Sequence, residues 1–273
     1  MILAVVIPVF NERELLPRLI DRIDATPRPK DANGSQVTRL LILADDGSTD
    51  STDDWIAENL ADREDCVCLF TSTNGGKGSA LARGFEAARR VGAGAALVQD
   101  ADLEYHPADH QPALDPIFAG EADAVIGSRF IGGTHRVLYY WHSIANRGIT
   151  TLSNMLSNLN LTDIECGTKA FSADVLARLV ITEPRFGVEP EIIAKLAKMR
   201  LPETGPRGGS RPLRIFEVPV RYAGRTYAEG KKIGWRDGVE ALRCIAQHNL
   251  FARRGERAAD HAPAHEPAQK PTP

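Results

Sequence analysis

The chain has 273 residues, 43% of them apolar and 25% charged, with a net charge of −3. Folding a chain of this length buries about three quarters of its extended surface, so a large core is available, and the composition excludes a wholly disordered, collagen-like or coiled-coil protein. Without a basic field to hold nucleic acid by counterion release, any anionic ligand must be gripped locally. No apolar run approaches the ~18 residues of a membrane span, and no basic segment precedes an apolar stretch at the N-terminus, so neither a span nor a secretory signal is expected. Cys66, Cys68, Cys166 and Cys244 form no CxxC pair, which favours packed, reduced thiols in the cytosol over disulfides or a metal site.

Residues 2–7 are a continuous apolar run ended by Pro8, the pattern of a strand buried on both faces. Asn11 with Glu14 reads as a capping box, and Leu15, Leu16, Leu19, Ile20 and Ile23 recur at helical spacing. Residues 27–35 form a loop, 38–44 a second strand, and a helix follows through Trp55, Ile56 and Leu60. Residues 66–70 and 95–98 read as further strands on either side of a helix at 79–90. This alternation predicts right-handed βαβ units and an α/β fold whose parallel sheet is covered on both faces. Further on, helices are expected at about 142–156 and 190–199 and a strand at 214–220, with a Gly/Pro/Arg loop at 203–212. Residues 253–273 carry almost no large apolar side chain and read as a disordered tail behind a single domain of residues 1–252.

Ligands on parallel sheets collect at the carboxyl ends of the strands. Polar clusters follow the strand candidates directly: Asn11-Glu12, Asp45-Asp46, Asn74 to Gly78, and Asp100 to Asp102. Asp100 and Asp102, two apart where the chain turns, can converge on one hard divalent cation and leave positions for phosphate oxygens. A solvated acidic turn is the bland alternative. Asp45 can simply cap its turn, and residues 75–78 can be no more than a tight strand-to-helix connection. The glycine run is not a Walker A loop, and no GxGxxG follows the first strand, which disfavours a dinucleotide-dependent dehydrogenase. The histidines show no HExxH motif, and His261 and His265 fall in the tail, so a zinc site is not expected. Tyr139, Tyr140 and Trp141 are either core or an amphipathic edge that meets lipid headgroups.

Five segments occur in the order in which family 2 glycosyltransferases carry them: Pro8-Val9-Phe10-Asn11-Glu12, Asp45-Asp46-Gly47-Ser48-Thr49-Asp50, Gly75-Gly76-Lys77-Gly78, Asp100-Ala101-Asp102 and Gly127-Ser128-Arg129-Phe130. More narrowly, the sequence resembles the dolichyl- or polyprenyl-phosphate hexosyl synthases, on the stretch Asp100 to Pro107 and on Gly224 to Ile233, over roughly residues 1–250. The resemblance implies an α/β fold of GT-A type, Rossmann-like, with a mostly parallel sheet. It implies inverting transfer of a hexose from a nucleotide sugar of the GDP-mannose or UDP-glucose type to a polyprenyl or dolichyl phosphate. It also implies that Pro8, Phe10, Glu12, Asp46, Lys77 and Ala101 line the nucleotide-sugar pocket. Asp100 and Asp102, with Glu104 beside them, would hold Mg²⁺ or Mn²⁺ against the diphosphate, and Arg225 and Lys231 would close over the phosphates. Such cations stabilise the charge that develops on a departing diphosphate.

By the same resemblance, Arg129 faces the acceptor lipid phosphate, whose oxygen is already ionised at neutral pH and needs alignment rather than a general base. His142 and Arg147 read as neighbours on one helical face that assist with that phosphate, with a surface or capping role as the alternative for each. A hydroxyl acceptor would want a carboxylate base, and Asp163, Glu165, Glu189 and Glu191 are the candidates, but a QxxRW-like motif is not seen. Cys166 to Phe171 resembles a segment that shapes the acceptor cleft. Transfer to a saccharide or small-molecule hydroxyl, and a non-catalytic nucleotide-binding homologue, stand as alternatives. The expected partners are a nucleotide-sugar donor, a lipid-phosphate acceptor, and a peripheral membrane contact or a membrane protein, at the cytoplasmic face; nucleic acid is not expected.

Overall fold

The computed structural model describes residues 1–132, 136–137, 139–203, 208–224 and 235–251. Strands and helices alternate as expected through β1 (Ile2–Val9), α1 (Leu16–Ala25), β2 (Thr38–Asp45), α2 (Thr52–Asn59), β3 (Cys66–Leu69), α3 (Lys77–Arg90), β4 (Ala95–Val98) and α4 (His110–Phe118). After these come β5 (Ala124–Ser128), α5 (Tyr140–Ser157), β6 (Lys169–Ser172), α6 (Ala173–Leu176), α7 (Val188–Lys198), β7 (Arg200–Pro202), β8 (Ser210–Pro212), β9 (Ile215–Pro219) and α8 (Trp235–Ala246). The tail at 253–273 lies outside the described residues.

The main sheet runs β3-β2-β1-β4-β6-β5-β9. Its neighbours are parallel except where β6 runs antiparallel between β4 and β5. The continuous apolar run of β1 has a simple cause. Leu3, Val5 and Ile7 pack against Leu16, Leu19 and Ile23 of α1, while Ala4 and Val6 pack against Leu81 and Phe85 of α3, so neither face meets water. β7 and β8 pair separately, and β8 falls in the stretch 203–212 expected as loop. A three-residue Ser-Arg-Pro strand is set by its partner rather than by its own pattern.

Two local expectations are corrected. Pro8 does not end β1, because it stays in register with Ala44. The Val6 carbonyl accepts from Gln99 on the β4 side, so Pro8, two residues on, turns its missing N–H beyond Val98, the last residue of β4 paired to β1. No ladder bond is lost there. The capping box does not form either. Asn11 takes a left-handed φ of 51° and its Oδ1 accepts from the Thr49 N–H, bracing the turn after β2, while α1 begins only at Leu16.

The reversed β6 also positions the site. Because it runs against β4, with Leu97 opposite Ala170, its first residue, Lys169, and the loop before it lie at the sheet end where β1, β2, β4 and β5 finish.

Candidate active site

At the end of β2 the two aspartates divide. Asp45 caps its own turn, its Oδ2 accepting from the N–H groups of Gly47 and Ser48 at 3.0 and 3.1 Å. Asp46 is buried and reaches the glycine run, accepting from Gly76 N–H at 2.5 Å and from Arg83 at 3.2 and 3.3 Å. Expected to receive a nucleoside hydrogen bond, Asp46 already has both oxygens engaged by this chain. Arg83, which holds it, is absent from the sequence-derived set. Pro8 and Phe10 are half-buried on the same rim, and buried Glu12 is anchored through its N–H to Thr52 Oγ1 at 3.1 Å. The glycines on either side of Lys77 are required by close packing. A Cβ on Gly78 would stand 1.9 Å from the Glu183 carbonyl oxygen, and one on Gly76, at φ 97°, 2.6 Å from that of Pro184. The tight-connection reading therefore accounts for the glycines, and Lys77 is the side chain they deliver.

Lys77 Nζ lies 2.9 and 3.0 Å from the two carboxylate oxygens of Asp100, just past β4, and 2.8 Å from Glu189 Oε1 at the start of α7. The other oxygen of Glu189 contacts Lys169 Nζ, which also donates to the carbonyls of Cys166 and Ile164. Asp100, Lys77, Glu189 and Lys169 thus form one line of alternating charge, with the last two almost wholly buried. Burial pulls the Lys77 ammonium down, but Asp100 and Glu189 outweigh it and the net shift is upward. For Glu189 burial acts upward, and Lys169 and Lys77 overcome it, holding the carboxylate below its ordinary range. The sequence held a signal for the burial of Glu189, though not for its partners: it shares a helical stripe with Ile192, Ile193 and Leu196, all buried.

Asp100 is also backed by Gly167, where a Cβ would sit 2.1 Å from Oδ2. Asp102 Oδ1 accepts from the Glu104 N–H at 3.1 Å, and Glu104 Oε2 accepts from the Tyr222 hydroxyl at 2.9 Å. Among the described residues no three His, Cys, Asp or Glu side chains gather as a ligand set. Asp100, Asp102 and Glu104, the last tied to Tyr222, are the carboxylates that follow β4 here. Two hard carboxylates at a strand end, one of them cradled by a glycine, suit a divalent cation whose remaining positions are filled by ligand oxygens. Arg225 and Lys231 lie outside the described residues.

On the acceptor side, Arg129 leaves β5 and locks onto Asp163, its Nε and Nη2 donating at 2.6 and 2.8 Å, with Nη2 also 3.2 Å from Asn146 Oδ1. The guanidinium stands 5.1 Å from the centre of the Tyr222 ring, and Asp163 is fully buried. Asn146, not Arg147, is the α5 residue facing this pair. Arg147 instead lines an outer groove with Ile144, Thr151 and Met155, about 140° around the helix from His142, so the two do not share one face. His142 packs edge-on to Tyr139 at 5.5 Å. Tyr139, Tyr140 and Trp141 are 54%, 68% and 75% exposed, which removes the core reading for them. Glu191 is a structural carboxylate that accepts from the N–H groups of Thr182 and Glu183 and from Lys195. Glu165 differs from it: burial first, then Glu189, pushes its carboxyl from the ordinary 4.5 up to about 7, and its Oε1 is buried with no hydrogen-bond partner among the described residues.

The sheet order, the reversed β6 and the carboxylates and cations gathered at one sheet end make this an α/β fold of the GT-A type. Glucosyl-3-phosphoglycerate synthase from Mycobacterium tuberculosis, solved with Mn²⁺, UDP and phosphoglyceric acid, shares that fold at a TM-score of 0.63 and 20% identity, covering 93% of this chain and 80% of that one. The family model for glycosyl transferase family 2 matches residues 4–180, and the chain belongs to that family; it is a glycosyltransferase. It is similar to the undecaprenyl-phosphate mannosyltransferase of Micrococcus luteus, with 28% identity over 259 residues, 91% of this chain and 94% of that protein. It is also similar to the polyprenol monophosphomannose synthase of Mycolicibacterium smegmatis, with 32% identity over 178 residues, 64% of this chain and 63% of that protein. Among the described residues no helix is long and apolar enough to cross a membrane.

Proposed function

We propose that the enzyme transfers a hexose from a nucleotide sugar of the GDP-mannose or UDP-glucose type to a polyprenyl or dolichyl phosphate, with inversion at the anomeric carbon. The observation that carries this is the Asp100–Lys77 contact at the end of β4, in a chain aligned over 91% of its length with an undecaprenyl-phosphate mannosyltransferase. Asp100 and Asp102 would hold Mg²⁺ or Mn²⁺, which would supply positive charge against the departing diphosphate. Lys77 adds a cation on the same side, and Arg225 and Lys231 follow in sequence as further phosphate ligands. Glu12, Pro8, Phe10 and Ala101 wall the nucleoside end, with Asp46 fixing the wall through Arg83 and Gly76. Arg129, fixed by Asp163, sets a stationary positive charge on the acceptor side, where alignment rather than proton removal drives attack by an ionised phosphate.

The exposed Tyr139, Tyr140 and Trp141, continued along α5 by exposed Ile144, Arg147 and Met155, would rest on the headgroup layer. Aromatic rings and a cation on one exposed edge suit that boundary. Radiolabel passing from GDP-mannose or UDP-glucose into a butanol-extractable, acid-labile lipid is the expected result. A second reading, transfer to a hydroxyl, is favoured by Glu165, whose raised carboxyl is a candidate base. Labelled product that stays in water and is lost in Glu165→Gln would select it.

A further inference from the structure

Lys77 touches both carboxylate oxygens of Asp100 and one oxygen of Glu189. The ammonium therefore occupies the same carboxylate that the donor-site reading gives to a divalent cation. Two cations on one carboxylate repel, and in a half-buried site that repulsion is weakly screened. Lys77 has somewhere else to go. Glu189 Oε1 lies 2.8 Å from Nζ, so the side chain can release Asp100 and keep a buried partner. Glu189 cannot follow it, because its other oxygen is pinned by Lys169, itself held by the Cys166 and Ile164 carbonyls. Lys77 is also the first residue of α3, reached through Gly76 at φ 97°, and its backbone is fixed by packing on residues 183–184. The side chain alone has room to move.

We propose that Lys77 is a resident counter-ion of Asp100 that yields this carboxylate to a divalent cation when a nucleotide diphosphate draws the ammonium away, with Glu189 as its second berth. Metal and nucleotide then favour each other's binding beyond their direct contact, and Glu189 acts as a positioning residue that sets how readily Lys77 leaves. This deepens the donor-site reading and rests on it.

The test is Mn²⁺ binding by the full chain, followed through the electron paramagnetic resonance of free Mn²⁺, with no nucleotide and then with UDP or GDP. Without nucleotide, Lys77→Met is expected to bind Mn²⁺ about tenfold more tightly than the wild type, the scale of a typical coupling between sites. Glu189→Gln, which leaves Lys77 with Asp100 as its sole anion of the pair, is expected to bind Mn²⁺ several-fold more weakly. The gain in Mn²⁺ affinity on adding nucleotide should be smaller in Lys77→Met than in the wild type. If circular dichroism shows Lys77→Met to be unfolded, the charge-balanced double variant Lys77→Met with Glu189→Gln must show the tightening instead. Binding that Asp100→Ala abolishes but that Lys77→Met leaves unchanged or weakens would overturn the hand-over and leave the metal assignment standing. No Mn²⁺ binding by any variant, even with nucleotide, would remove both.

Discussion

Asp102 carries the sharpest single-residue consequence. If it shares a cation with Asp100, Asp102→Ala should lower turnover by roughly 10²- to 10³-fold, the scale for losing one preorganised charge-stabilising group, while the melting temperature stays close to that of the wild type; steady-state transfer assays beside thermal melts check this. Glu165 makes a prediction about stability. Its folded-state value of about 7 lies above the ordinary 4.5, so between these limits the folded chain holds a proton that the unfolded chain has released. Stability is then lost as pH rises from about 4.5 to 7. Glu165→Gln cannot ionise, so it should gain on the wild type across that window and hold the gain above it. Thermal melts of the two proteins from pH 4.5 to 8 should diverge upward, and parallel curves would contradict it. Asp163 and Arg129 show the opposite design, since each matches the other's charge and either one alone would be a buried, unpaired ion.

Glu183 ties the end of the described chain to the donor site. Its carboxylate accepts from Arg243 at 2.8 Å and faces His248 Nε2 at 3.0 Å, so α8 and the turn after it are docked on the segment whose carbonyl touches Gly78. Glu183→Ala leaves buried His248 without that partner and should cost about 1–3 kcal/mol, the range for stranding such a group, seen as a drop in the denaturation midpoint with an unchanged denaturant slope. The sequence disclosed the elements it could disclose. β1, β2 and β4 show as continuous apolar runs because both sheet faces are buried, α1 and α3 show by helical periodicity, and their positions were legible to within a few residues. β6 was not, since Lys-Ala-Phe-Ser holds no apolar run and its direction is decided by pairing with β4 and β5. The same reversal hid the Lys169–Glu189–Lys77 line, whose members are far apart in sequence and meet only once β6 is laid backward. The carboxylate clusters were legible because each directly follows a strand. Which oxygens are already spoken for, as in Asp46, depends on Arg83 from a different helix and could not be read.

For the molecule as a whole, the proposed acceptor puts the catalyst against a bilayer, and the exposed aromatic edge of α5 is where contact should occur. Replacing Tyr140 and Trp141 with Ser should weaken co-sedimentation with vesicles containing anionic lipid and raise KM for a long-chain polyprenyl phosphate, while leaving that for a short water-soluble analogue nearly unchanged. Equal losses on both acceptors would argue against a membrane role for this edge.

β5 and β6 are direct neighbours that pair in opposite directions, with Ile126 beside Lys169. The chain between them therefore leaves and re-enters the sheet at one doorway, while Asp46, Lys77, Asp100 and Asp102 all come from segments before β5. Such an excursion can be exchanged as a cassette. Grafting residues 130–162 from a relative with a different acceptor, with Asp163 kept to meet Arg129, should redirect the product without retuning the donor, which turns a quirk of strand direction into a route by which one scaffold diversifies.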